Sequence, residues 1–315
     1  MNRINENKDN FGDILKKCIS EMKNVSIFLE ANDIAVHFSK KVAAIGLVKV
    51  IETDASCPNF LFRKTVNFHT GNINVIRVID LTGNNVYLSG IFINSDLIFT
   101  HHKLSKVLKY NHNGCCLTDL SLPNKPFDIV QLTDTTAAVS TENKTLFVVD
   151  IQKMIQCRKI EVLYYVHGFC HVNGEFILAY ENTLTWINAT SGAKIEQTST
   201  NGDTYYIHAN SRKDYICTDG KSVSKMVNNA KVFTYKSDKF SNQRGIDIDR
   251  DGNVYICGNG TSNLHQLDKD GKLVRIIPVG SIGIKRPYVI RFKKNINQFL
   301  VTCYQIGKVF ICETD

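Results

Sequence analysis

Asp247-x-Asp249-x-Asp251-Gly252 is the string in this 315-residue chain whose spacing most resembles a metal site. Alternating carboxylates followed by glycine open the helix-flanked loop that takes calcium, and such a loop ends on an acidic residue at its twelfth position. Gly258 stands at that position, so Asp251-Gly252-Asn253 reads as a hairpin turn between two strands. His101-His102 and His112 have the right side chain for a general base, but no carboxylate or nucleophile at a supporting spacing accompanies them, and they read as loop residues. Ten cysteines invite a zinc or disulfide reading. There is no Cys-x-x-Cys, Cys115 and Cys116 are adjacent, and Cys157, Cys170, Cys217, Cys257, Cys303 and Cys312 fall in or beside β-rich runs. Free thiols acting as small apolar side chains account for that pattern. No catalytic residue, metal or cofactor is assigned, and the expectation is a chain that is not an enzyme.

The stronger candidate is a set of residues at equivalent places in a repeat: Ser89, Lys125, His167, Tyr205, Arg244 and Arg286. Each precedes the first strand of its unit. If that strand is innermost, Lys125, His167, Tyr205, Arg244 and Arg286 surround one mouth of a channel and suit an acidic peptide or a phosphate backbone. The plainer alternative is that each cation pairs with a carboxylate of a neighbouring unit, Asp128 and Asp247 being near in sequence.

The elements that must position these residues recur at a step of about 40. The third run of successive units ends at Asn111, Asp150, Asn188, Asn228 and Asp268, giving steps of 39, 38, 40 and 40. A constant step marks one supersecondary unit being stacked. The fifth copy is the plainest: Arg244–Gly258, Ser262–Asp268 and Lys269–Ile277 are short β-rich runs separated by Asp-Gly, Gly-Asn and Asn-Gly turns. The second runs, such as Ala137–Ser140, Phe176–Tyr180 and Val254–Cys257, are apolar throughout, as a strand covered on both faces requires. The expectation is an all-β, six-bladed β-propeller with four-stranded antiparallel blades, first strands beginning near 89, 125, 167, 205, 244 and 286. Pro287–Phe292, Gln298–Tyr304 and Lys308–Cys312 supply three strands to the sixth blade. An open edge is an aggregation hazard, so residues 74–81 are expected to close the ring, within a propeller domain of 64–315.

The amino-terminal segment differs. Phe11, Leu15, Cys18, Met22, Val25 and Leu29 are spaced as a heptad seam, predicting an α-helix within 1–31 that either pairs two copies into a homodimer or lies on the propeller. Residues 32–63 read as a connector. The first ten residues are polar, unlike a secretory leader, and no apolar run has the length of a membrane span, so the expectation is a cytoplasmic chain with no membrane partner.

Gly245-Ile-Asp-Ile-Asp-Arg-Asp-Gly-Asn-Val-Tyr-Ile-Cys257 resembles an NHL repeat, of the NHL- and YVTN-like propellers; Pro126–Val130 and Arg286-Pro287 follow the pattern more loosely. Helix, connector and six blades in that order resemble the carboxy-terminal part of tripartite-motif proteins, which carry RING and B-box zinc domains before their coiled coil. Those zinc ligands are absent here: Cys18 and Cys57 stand alone. The resemblance implies the substrate-recognition half of a ubiquitin ligase, with a protein partner, a ubiquitination substrate, at the propeller mouth. The alternative it implies is a single-stranded RNA partner in post-transcriptional regulation. A net charge of +8 is compatible with RNA, but its Lys and Arg residues are scattered over many loops.

Overall fold

The computed structural model describes residues 25–26, 63–64, 71–81, 88–200, 202–218, 221–294 and 296–314. Two compact units are present, Met1–Asn67 and Phe68–Asp315. In the first, β1 (Val25–Ser26) pairs antiparallel with β2 (Arg63–Lys64). Val25–Ser26 is therefore extended, where the heptad seam expects the last turns of a helix. Val25 is β-branched, which disfavours helix, and the paired strand satisfies its backbone instead. Phe11, Leu15, Cys18, Met22 and Leu29 lie outside the described residues.

The second unit is an all-β ring of six four-stranded antiparallel sheets. Blade 1 comprises β4 (Leu88–Ile93), β5 (Asp96–His101), β6 (Lys106–Tyr110) and β7 (Cys116–Ser121). Blade 2 comprises β8 (Pro126–Gln131), β9 (Thr136–Thr141), β10 (Thr145–Asp150) and β11 (Ile155–Glu161). Blade 3 comprises β12 (Gly168–Val172), β13 (Glu175–Tyr180), β14 (Thr183–Asn188) and β15 (Lys194–Ser199). Blade 4 comprises β16 (Ile207–Ser211), β17 (Asp214–Thr218), β18 (Val223–Val227) and β19 (Ala230–Tyr235). Blade 5 comprises β20 (Gln243–Ile248), β21 (Val254–Gly258), β22 (Asn263–Leu267) and β23 (Leu273–Ile277). Blade 6 takes β24 (Pro287–Phe292), β25 (Gln298–Cys303) and β26 (Lys308–Thr314) from the end of the chain, and its outer strand is β3 (Ile73–Asp80).

The apolar second strands follow from the radial packing. Side chains alternate across a strand, so a strand sandwiched between two blades sends odd and even residues into different cores. In β13, Phe176 and Leu178 pack toward blade 2, whereas Ile177 and Ala179 pack toward blade 4. In β5, Ile98 faces blade 2, and Leu97 and Phe99 face blade 6. The described residues form six such inter-blade cores, one at each junction of the ring. Fully buried Phe99, Phe147, Phe169, Phe176 and Phe299 anchor four of them, each contributing about 1.5–3 kcal/mol of burial. Outer strands β7, β11 and β15 are largely exposed, which explains why Cys116 and Cys157 face solvent. The buried-thiol reading therefore holds for Cys217, Cys257, Cys303 and Cys312, Cys170 is half-buried, and Cys115, Cys116 and Cys157 are exposed. Burial pushes the Cys303 and Cys312 thiols up to about 12, leaving them protonated and unreactive at neutral pH.

A second recurrent device holds the inner strand to its neighbour. Thr100, Ser140, Thr218 and Thr302 occupy one register position in β5, β9, β17 and β25. Their hydroxyls accept the backbone N–H of Ser89, Asp128, Tyr206 and Val289 at 3.0, 3.1, 3.2 and 3.1 Å. Where inner strands approach one another most closely, glycine is required. A Cβ on Gly245 would lie 2.6 Å from Val289 Cα, 2.8 Å from Tyr288 O and 2.9 Å from Ile290 N, all backbone of the next blade. Gly245→Ala is expected to cost about 1–3 kcal/mol through this overpacking. Urea unfolding followed by the emission of Trp186, which is 2% exposed, measures it; an unchanged midpoint refutes the tight contact.

Candidate functional site

The inner strands β4, β8, β12, β16, β20 and β24 line the channel, starting at what we call the upper mouth and ending at the lower. Lys125, His167 and Arg286 immediately precede their strands, Tyr205 stands two residues before its strand, and Arg244 is the second residue of β20. Ser89 is different: it is fully buried, and its hydroxyl donates to Asp128 inside the channel at 2.5 Å. It belongs to the wall of the ring and not to its rim.

The structure brings four of the five rim residues into ring contacts. Phe127 and His167 lie 4.8 Å apart between ring centroids, and His167 and Tyr205 6.0 Å apart. His102 extends this arc at 5.1 Å from Phe127. The Arg244 guanidinium covers the face of Tyr205 at 4.5 Å, and that of Arg286 covers Tyr304 at 4.4 Å while donating to Gln305 Oε1 at 2.8 Å. Such stacks contribute about 0.5–1 kcal/mol at exposed positions and hold the guanidinium planes in place. Lys125 pairs at 3.6 Å with Glu142, a carboxylate of its own blade and not of the neighbouring one. Burial, and then the charge of Arg244, push His167 below the ordinary histidine range, so it meets a ligand as a neutral imidazole. Among the described residues, Arg244 and Arg286 have no carboxylate within ion-pair distance.

Asp128 and Asp247, the carboxylates closest in sequence to the rim cations, are spent elsewhere. Asp128 accepts from Ser89, from Ile129 N at 2.9 Å and Phe169 N at 3.4 Å, and pairs with Arg291 at 3.4 Å. Asp247 meets His208 Nδ1 at 2.6 Å and accepts from Phe292 N at 2.7 Å. Ser89, Asp128, Phe169, His208, Asp247 and Arg291 come from all six inner strands, so the network ties the ring across its own channel. Burial pushes the Asp128 carboxyl up against the opposing pull of Arg291. Asp247 is also buried, yet His208 and Arg291 hold it below the usual carboxylate range. Sequence reasoning missed this network. The signal was there, an arginine inside the apolar run Tyr288–Phe292 and an aspartate inside Pro126–Val130.

Below the network, the ends of the inner strands enclose a cavity of about 640 Å³ bounded by Gln131, His171, Arg250, Lys293 and Lys294. Asp249 does not look into it as a free ligand. Its carboxylate accepts from Asp251 N and Asn253 N, each at 2.9 Å, and from Asn253 Nδ2 at 2.8 Å, fixing the Asp251-Gly252 hairpin. The metal-like string is thus divided between a turn and an ion pair, and no group of three His, Cys, Asp or Glu side chains among the described residues is arranged to hold a metal.

Comparison with known proteins agrees on the fold. Residues 242–265, in the fifth blade, match a family described as a beta-propeller repeat (SBBP). Among solved structures, the chain is similar to the β-propeller domain of Cps50 (Swd1) from Myceliophteria thermophila, with a TM-score of 0.60 and 11% identity. The alignment covers 78% of this chain and 100% of that one. No curated protein matches the chain. A likeness at that identity carries architecture alone.

Proposed function

We propose that this propeller is a non-catalytic recognition module whose upper mouth takes an acidic segment of a protein partner. The observation that carries the reading is the pair of aromatic-backed guanidiniums, Arg244 on Tyr205 and Arg286 on Tyr304, neither neutralised by a carboxylate among the described residues. Arginines held flat by stacking are pre-organised for bidentate contact with carboxylates, so little entropy is lost on binding. β-Propellers commonly serve as protein-interaction modules, and the channel carboxylates here are consumed by structural pairs. The finer reading is the substrate-recognition part of a tripartite-motif ubiquitin ligase, and it draws on Gly245–Cys257 and on the six blades.

A labelled oligo-glutamate peptide tests the mouth. Arg244→Glu with Arg286→Glu is expected to weaken its binding roughly tenfold or more, a loss of about 1.4 kcal/mol per decade. Lys293→Glu with Lys294→Glu, at the opposite mouth, is expected to leave it unchanged. Equal effects of the two doubles would show a diffuse charge response and remove the proposal. The RNA alternative draws on the net charge of +8 and would appear as an affinity for oligo-uridine that falls steeply with salt.

A further inference from the structure

Beside the upper mouth, blade 4 and the start of blade 5 enclose a second cavity of about 630 Å³. Lys221, from the turn before β18, Lys231 on β19, Lys236 just after it and Arg244 on β20 all line it. Three separate stretches of chain thus deliver four cations to one concavity. Asp203 is the carboxylate in the same lining, and it accepts a long 3.5 Å hydrogen bond from Tyr205 Oη. None of the four cations forms an ion pair with a carboxylate among the described residues. Four like charges set against the single carboxylate of Asp203 leave a net positive cleft, and a multiply charged anion relieves their mutual repulsion.

We propose that this cleft is a phosphate-binding site for a phosphorylated serine or threonine in the protein segment that crosses the upper mouth. The inference rests on the reading of that mouth as the partner face. A phosphoryl group brings a charge of about −1.5 to −2 and three acceptor oxygens, which three lysine ammoniums and one guanidinium can share, whereas a carboxylate brings half that charge. A concavity of this volume has room for a phosphorylated side chain together with its flanking residues. Single-stranded RNA fits less well. Recognition of its bases needs free aromatic faces, and Tyr205, the aromatic residue of the lining, already has one face covered by Arg244 and an edge against His167.

Fluorescence anisotropy on the full chain tests the site with three probes: a glycine–serine peptide carrying one phosphoserine, the same peptide unphosphorylated, and oligo-glutamate. The phosphoserine peptide is expected to bind about tenfold tighter than its unphosphorylated counterpart. Lys221→Ala, Lys231→Ala and Lys236→Ala together are expected to erase that preference. All three lysines are exposed, so an unchanged urea midpoint checks that the fold is kept. The same triple variant is expected to retain oligo-glutamate binding, because Arg244 and Arg286 remain. A phosphoserine peptide that binds no tighter than its serine counterpart overturns the phosphate inference and leaves the mouth reading intact. Oligo-glutamate that fails to bind the wild-type chain counts against the mouth reading alone. Oligo-uridine displacing the phosphopeptide better than unlabelled phosphopeptide does would reassign the cleft to RNA.

Discussion

Replacing Arg291 with methionine is expected to lower the unfolding free energy by about 3–5 kcal/mol, more than any other single substitution in the channel. The Arg291 side chain is 14% exposed and stands between two buried carboxylates, Asp128 at 1% and Asp247 at 9%. Methionine fills much of the same volume, so the loss is electrostatic. Asp128 keeps its hydrogen bonds from Ser89, Ile129 and Phe169 but loses its countercharge, and an unpaired buried charge is costly. Protonation is the available relief, and this fixes the pH dependence. The folded-state pKa of Asp128 is already raised by burial, and without Arg291 it rises further, so the folded state then binds more protons than the unfolded state above the ordinary aspartate range. Stability of the variant therefore falls as pH rises through that window, and its deficit against wild type is larger at pH 8 than at pH 5. Adding Asp128→Asn removes the stranded charge and is expected to recover part of the loss. Urea titrations at the two pH values, read by Trp186 emission, decide the matter. A deficit independent of pH would mean that Arg291 acts by packing and not by charge.

The ring was legible in the sequence because its constraints are local. Turn dipeptides such as Asp251-Gly252 end strands wherever they fall, and a strand covered on both faces must be apolar at every position, as Phe176–Tyr180 is. The outer strand of the last blade could be inferred because β24, β25 and β26 leave one edge open and the run around Val75 and Ile79 has no nearer partner. Functional detail was less legible for a physical reason: the partners are far apart along the chain. Arg291 pairs with a residue 163 positions away, and no local pattern encodes that. The rim cations were placed by counting from strand starts. Counting located Arg244, Arg286 and Tyr205 but neither the stacking of Arg244 on Tyr205 nor Tyr304 beneath Arg286, and it set Ser89 on a rim when the β4 register buries it. The cleft of Lys221, Lys231, Lys236 and Arg244 was invisible to counting because its lysines come from a turn, an outer strand and the residue after it, and counting from first-strand starts visits none of these.

A chain that begins at residue 82 is expected to fail to form a soluble monomer, whereas one that begins at Phe68 folds. The difference is β3. It pairs with β26 from Ile73↔Thr314 to Asp80↔Lys308, and Leu81 N continues the ladder to Gly307 O at 2.8 Å. Ile79 and Leu81, 4% and 2% exposed, fill the core between blades 6 and 1 beside Leu97, Phe99 and Leu300. Losing the two of them alone forfeits about 3–6 kcal/mol of burial, comparable to the net stability of an ordinary domain. The loss is also worse than additive, because Leu97, Phe99, Leu300 and Val309 of the same core lose part of their cover. What remains at the edge is β26, whose Val309, Phe310, Ile311 and Cys312 are buried in the closed ring. An unpaired apolar strand of that kind templates association with other chains. Size-exclusion chromatography with light scattering is expected to show aggregates for the shorter chain and a monomeric propeller unit for the longer. A synthetic peptide of residues 71–82, added during refolding, is expected to restore monomer by supplying the missing strand in trans. A soluble monomer from the shorter chain, with Trp186 emission as in wild type, would show that the ring closes without its outermost strand.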